Sequence, residues 1–222
     1  MPAALQEQAA ARREEIVGAC AELYRELPFK KITLGLIGAR TTFTRTSIYN
    51  YFRTKEEIFL ALLEREYAAW ADDLDALSRA AFPAAEFPVR FAALLERRGC
   101  MLKLMAMNLY DMEAGSRLEN LVAFKREYNR SMQAVARCLH AHCPSVTEED
   151  VQQFIYAFYP FLFGVYPYTE AGEKQLRAMD IAGVVYRRQT VTEITASLVG
   201  KLLSSYQNQR NDHKKEKDHD NV

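Results

Sequence analysis

Proline and glycine are scarce in this chain of 222 residues, at 7 and 9. Alternating β-branched runs are few as well, so each breaker reads as helix punctuation and the chain as all-helical. Cysteine is scarcer still: Cys20, Cys100, Cys138 and Cys143 stand singly, with no CxxC pair. That argues against a disulfide framework or zinc ribbon and for reduced, mostly buried thiols. No uninterrupted apolar run approaches the roughly 20 residues of a membrane span, and Met1 to Glu15 has no apolar signal core, so a cytoplasmic protein is expected. Net charge is also lacking, with 29 basic residues against 29 acidic ones, which leaves no general attraction to polyanions. GxSxG, HExxH, P-loop and GxGxxG strings are missing too. No catalytic residue, metal site or cofactor is therefore expected, and an enzyme is the weaker reading.

What is present is a chain 49% apolar, enough for a sizeable core, whose charge is unevenly placed. Residues 1–55 hold 9 basic and 5 acidic side chains, and the rest hold 20 and 24. The first quarter is the polyanion-facing candidate. Ala9, Ile16, Cys20, Leu23 and Leu27 recur at helical spacing until Pro28 stops the helix. Thr33 then caps a very short helix ending near Arg40, and Thr44 caps a second ending near Phe52. Thr54 with Glu57 three positions on has the capping-box arrangement and opens a long helix to about Ala80. Further helices are expected near 88–98, 100–113, 116–142, 147–166 and 190–206, with a long connection from Gly172 to Arg188. The polar stretch 207–222 is expected to be a disordered tail. The fold class is all-α: an amino-terminal helix-turn-helix domain over 1–54, then a helical domain over 55–206 that begins with the connecting helix.

The informative stretch is ITLGLIGARTTFTRTSIYNYFRTKEEIF, Ile32 to Phe59. Ile37, Phe43, Ile48 and Phe52 can form one apolar cluster that fixes two short helices at an angle, which is helix-turn-helix geometry. With Ile48 and Phe52 inward, the outward face presents Arg45, Thr46 and Tyr49, and no aspartate or glutamate occurs from Lys30 to Lys55 to repel phosphate. Arg45 is the expected base reader, worth about 1–3 kcal/mol if bidentate to guanine, while Lys55 should bind with little base preference.

Together, Thr33, Ile37, the Phe43-Thr44 junction, Ile48-Tyr49-Asn50-Tyr51-Phe52 and Lys55-Glu56-Glu57-Ile58 resemble the amino-terminal domain of the TetR family of bacterial transcription regulators. The resemblance implies that Thr33 contacts phosphate, that Thr44, Arg45, Thr46 and Ser47 lie at the mouth of the major groove, that Tyr49 and Lys55 grip phosphates, and that Asn50 and Tyr51 lie near the groove wall. It also implies a homodimer on a palindromic double-stranded operator, most often a repressor, and a small-molecule effector. Thr42 replaces the family's turn glycine, Thr41 its preceding alanine and Gly38 another alanine. A less left-handed backbone is therefore expected at position 42.

In the carboxy-terminal part, residues 154–168 hold 8 of the 25 aromatics, a density that predicts a helix buried on all sides, between the body of its own subunit and a partner. Phe154, Ala157 and Phe161 there, with Val191, Ile194, Leu198 and Leu202 on the last helix, are the expected dimer interface, a four-helix bundle with a second copy. Met101, Met105, Asn108, Met112, Phe124, Tyr128, Tyr156 and Tyr159 are the candidate lining of an effector site for an apolar or aromatic ligand, although ordinary core accounts for any one of them. His140, His142 and Cys143 are read as a solvated helix end rather than a metal site, because positions 140 and 142 point about 200° apart on a helix. Glu148, Glu149 and Asp150 after Thr147 mark a helix start. Two other function classes stay open: a helical protein-binding adaptor, and a small-molecule enzyme without DNA binding.

Overall fold

A computed structural model describes residues 3–43, 45–107 and 109–219, without the side chains of Ala3, Arg45 and 209–219. Eleven α-helices and no strand occur among the described residues. They are α1 Ala3–Glu26, α2 Leu34–Gly38, α3 Arg45–Ile48, α4 Lys55–Arg79, α5 Phe87–Glu96, α6 Gly99–Met105, α7 Leu109–Ala114, α8 Leu118–His142, α9 Glu148–Thr169, α10 Glu173–Ile181 and α11 Val191–His219. None of the helices is long and apolar enough to cross a membrane. The chain forms two compact units, one of residues 1–69 with 107–129 and the other of 70–106 with 130–222. The expected boundary at 54/55 thus sits inside the first unit, which also holds the first part of α4, all of α7 and the first part of α8.

The first unit is built on Ile16, Cys20 and Leu23 of α1, Ile32, Ile37 of α2, Ile48, Phe52 and Phe59, all buried. Phe59 takes Tyr24 and Phe29 edge-on, with ring centroids 5.2 and 4.7 Å away. In the second unit, Phe91 and Phe154 each lie 5.2 or 6.1 Å from a neighbouring phenylalanine ring, and Trp70 lies 6.4 Å from Phe158. α11 packs along α5. Each of these large rings removes substantial apolar area from water, at about 25 cal/mol per Å².

Several elements differ from the sequence-based expectation. The helix expected over 100–113 is two, α6 and α7, because the chain turns after Met105. The connection from Gly172 to Arg188 contains α10, whose strong helix formers lie between Gly172 in extended conformation and Gly183 at φ 67. The Gly183 and Val184 N–H groups bond back to the Asp180 and Met179 carbonyls at 3.1 and 2.9 Å, a left-handed helix stop that glycine makes cheaply. The last helix continues through 207–219 in place of a disordered tail; with no glycine or proline after Tyr206, an anchored helix propagates without the cost of a new nucleus. Within the subunit, residues 154–168 have two faces: Phe154, Phe158 and Leu162 face inward, whereas Tyr156, Ala157, Pro160 and Gly164 face out. Thr147 and Asp150 form a full capping box at the start of α9, Asp150 accepting from the Thr147 N–H at 2.9 Å.

Candidate nucleic-acid interface

Two short helices cannot hold an angle by themselves, so their orientation must come from what lies beneath and between them. Beneath are the buried Ile37 of α2 and Ile48 and Phe52 at and after α3. Between them is a turn without glycine. No described non-glycine residue has a positive φ, so Thr42 turns the chain without the left-handed backbone. Side chains hold it in place of backbone freedom. The Thr41 hydroxyl lies 2.9 Å from the Gly38 carbonyl and 3.1 Å from that of Phe43, and the Glu15 carboxylate of α1 accepts the Thr42 N–H.

The outward face follows from this frame. Thr33 is the N-cap of α2, its hydroxyl accepting the Leu36 N–H at 3.2 Å, and it is exposed. Thr46 and Asn50 are exposed, Ser47 is half-buried, and Tyr49 is 48% exposed. Tyr51 is half-buried, its ring 6.4 Å from that of Phe43. Lys30, Lys31 and Arg53 stand exposed beside this face, whereas Arg40 pairs with Glu22 and Glu26 of α1. Thr44 lies outside the described residues, as does the side chain of Arg45, which occupies the first position of α3. Lys55 is engaged within the unit: its ammonium donates to the Phe29 and Ile32 carbonyls at 3.2 and 3.4 Å and sits 4.0 Å from the centre of the Phe29 ring. It thereby ties the start of α4 to the turn after α1.

At the same end of α4, Thr54 accepts the Glu57 N–H at 3.2 Å, half of the expected capping box. The Glu57 carboxylate does not return to Thr54; it accepts the Arg53 N–H at 2.7 Å and is clasped by Arg117. Burial alone would raise the Glu57 pKa, but the Arg117 guanidinium and the Arg53 and Arg117 N–H groups together hold it below its ordinary 4.5. Neither Glu15 nor Arg117 was legible as part of this frame, since each acts across a separation that no local pattern reports.

Residues 16–62 match the family model described as bacterial regulatory proteins, tetR family, and residues 64–200 match the tetracyclin repressor-like carboxy-terminal domain. The chain belongs to the TetR family. It is a transcription regulator with an amino-terminal helix-turn-helix DNA-binding domain. A solved structure of a Mesorhizobium loti MAFF303099 protein assigned to TetR-family transcriptional regulators has the same fold at 14% identity and a TM-score of 0.58, over 89% of this chain and 96% of that one. Among curated proteins none matches.

The expected effector residues fall in both units. In the first unit, Phe124 and Tyr128 pack on Tyr67 at 5.8 and 5.5 Å, and Met112 is buried. Burial and the nearby Glu113 raise the Tyr128 phenol's pKa. In the second unit, Met101 and Met105 are buried, and the Tyr159 hydroxyl lies 2.7 Å from that of Ser131, with its ring 6.1 Å from Trp70. Tyr156 joins neither set; it is 78% exposed on the outer face of α9. Asn108 lies outside the described residues. A cleft of about 320 Å³ in the second unit is lined elsewhere, by Pro88, His142, Cys143, Leu203 and Gln207 among others, and by none of the expected set.

Of the expected dimer residues, Phe154 and Val191 are buried in their own subunit. Phe161, Ile194, Leu198 and Leu202 are half-buried and Ala157 is exposed. The histidine reading needs correction. His142 is not solvated: its ring stacks on Phe82 at 4.1 Å and its Nε2 lies 2.9 Å from the Leu77 carbonyl, while His140 pairs with Glu148 at 3.1 Å. A helix end that packs against α4 explains the difference. No group of three potential metal ligands occurs among the described residues.

Proposed function

We propose that this TetR-family regulator binds a palindromic double-stranded operator as a homodimer, represses transcription, and is released by a small apolar or aromatic effector. The observation that carries the DNA reading is the exposed, acid-free face of Thr33, Thr46, Tyr49 and Asn50, held over the buried Ile37, Ile48 and Phe52. Thr33 and Tyr49 meet phosphates, Thr44, Thr46 and Ser47 border the groove, and Arg45 reads bases from the first position of α3. Lys55 supports the face through the Phe29 and Ile32 carbonyls. One such module covers little DNA, so two copies on half-sites one helical turn apart, or a multiple of that, supply the affinity.

The second copy is seated on the outer face of α9, with Ala157 and Phe161, and on Ile194, Leu198 and Leu202 of α11. The effector occupies the methionine- and aromatic-lined region of the first unit around Met112, Phe124 and Tyr128. Methionine adapts to irregular ligands, and the tyrosine hydroxyls orient them. Effector binding tilts α4, changes the spacing of the two recognition helices, and weakens operator binding by about 1–3 kcal/mol of coupling.

Selection from a pool of random duplex DNA, read by sequencing at several salt concentrations beside Arg45→Ala, tests this. A recovered palindrome that the variant loses supports the reading. Absence of any enriched sequence or salt-dependent binding overturns it.

A further inference from the structure

The buried carboxylate at the start of α4 has more partners than a helix cap needs. Glu57 is 1% exposed, and four donors converge on it. Its Oε2 accepts the Arg53 N–H at 2.7 Å and Arg117 Nη2 at 3.0 Å, and its Oε1 accepts Arg117 Nε at 2.7 Å and the Arg117 N–H at 3.1 Å. The same Nη2 donates to the Tyr51 carbonyl at 3.0 Å. One guanidinium therefore joins α4 to the chain that leaves the recognition helix. The turn between α7 and α8 is seated there by two further contacts. The Thr54 hydroxyl donates to the Gly115 carbonyl at 3.1 Å, and a Cβ at Gly115 would stand 3.1 Å from the Asp111 carbonyl oxygen and from Glu56 Cβ and Cγ, so any larger residue would have to push these neighbours back.

α3 has four residues and cannot fix its own direction. Ile48 and Phe52 anchor its inner side; Arg117 anchors the turn that follows it, through a charge-assisted bond to the Tyr51 carbonyl. Such a contact sets direction more than stability, because an apolar pair of similar volume often replaces a buried ion pair without loss of stability. We infer that Arg117, on the α7–α8 turn, is a positioning residue for DNA recognition, holding the turn that leaves the recognition helix through the Tyr51 carbonyl and Glu57. The inference rests on the operator-binding reading for its functional consequence and on the geometry alone for the local one.

The test uses the full chain as wild type, Arg117→Lys, Arg117→Met and the double variant Glu57→Gln with Arg117→Met, which leaves no unpaired buried charge. Helical circular dichroism and the unfolding midpoint establish that each is folded. Affinity is then measured for the operator recovered from the pool and for a random duplex of equal length, and amide exchange is followed over 45–53 and over the middle of α4. The expected result is a folded double variant whose random-duplex affinity stays within about twofold of wild type while operator affinity falls about tenfold or more, with Arg117→Lys between them. Exchange over 45–53 should rise about tenfold while the middle of α4 is unchanged. A folded double variant that exchanges and discriminates like wild type overturns the inference. If wild type itself prefers no sequence, the operator reading fails, and the exchange comparison still decides whether Arg117 holds the helix.

Discussion

Acid should loosen the first unit through one side chain. The pKa of Glu57 is lower folded than its ordinary 4.5, so the folded state binds fewer protons than the unfolded chain between the two values. Its contribution is fully present above the unfolded value and is lost as pH falls through the folded one. Urea unfolding of wild type and Glu57→Gln should therefore differ most at neutral pH and converge as pH falls from 4.5 through the folded value; parallel curves at all pH values would count against the assignment. Thiols offer a second check. Burial pushes Cys138 up to about 12 and Cys143 up to about 11, and Cys138 donates to the Leu74 carbonyl at 3.0 Å. At pH 8 both should react with iodoacetamide far more slowly than in the denatured chain, because the thiolate is the nucleophile. Fast labelling of either in the folded protein, by peptide mass analysis, would contradict the packing shown.

At the scale of elements, α9 carries Pro160 in its interior, on the outer face. Proline there removes the donor for the Tyr156 carbonyl, and roughly 3 kcal/mol separates proline from alanine in a helix interior. Pro160→Ala is expected to raise the thermal midpoint; a fall would show that contacts of the proline ring outweigh its helix penalty. The polar extension of α11 makes the opposite case. Residues 209–222 hold no large apolar side chain, so ending the chain after Asn208 should change stability by less than about 0.5 kcal/mol in a denaturant titration. Helices were legible wherever a breaker met a change of pattern, as at Pro28, Thr54 and Thr147. α10 was not, since it is short and its nine residues bury nothing. For the interface, the resemblance located the exposed face, but the side chains that aim it, Glu15 and Arg117, come from α1 and from the α7–α8 turn. Nothing in their own neighbourhoods marks them, because their chemistry exists only once the chain has folded.

For the whole molecule, an α9 that buries Phe154 and Phe158 inward and leaves Tyr156, Ala157 and Pro160 outward has two different faces. The outward one is the proposed seat of the second copy. Ala157→Glu with Leu198→Asp is expected to give a monomer in sedimentation at micromolar concentration, with retained helical signal and a much weaker hold on a two-half-site operator. A dimer that survives both changes would place the contact elsewhere. The threonine turn of the helix-turn-helix has a consequence for binding entropy. Threonine is less free than glycine in the unfolded chain, so Thr41 and Thr42 restrict the conformations that folding must exclude. Tied to Gly38, Phe43 and Glu15, the turn is already in one shape before DNA arrives. Little of the association free energy then goes into ordering the reading head, which is preorganised for its target.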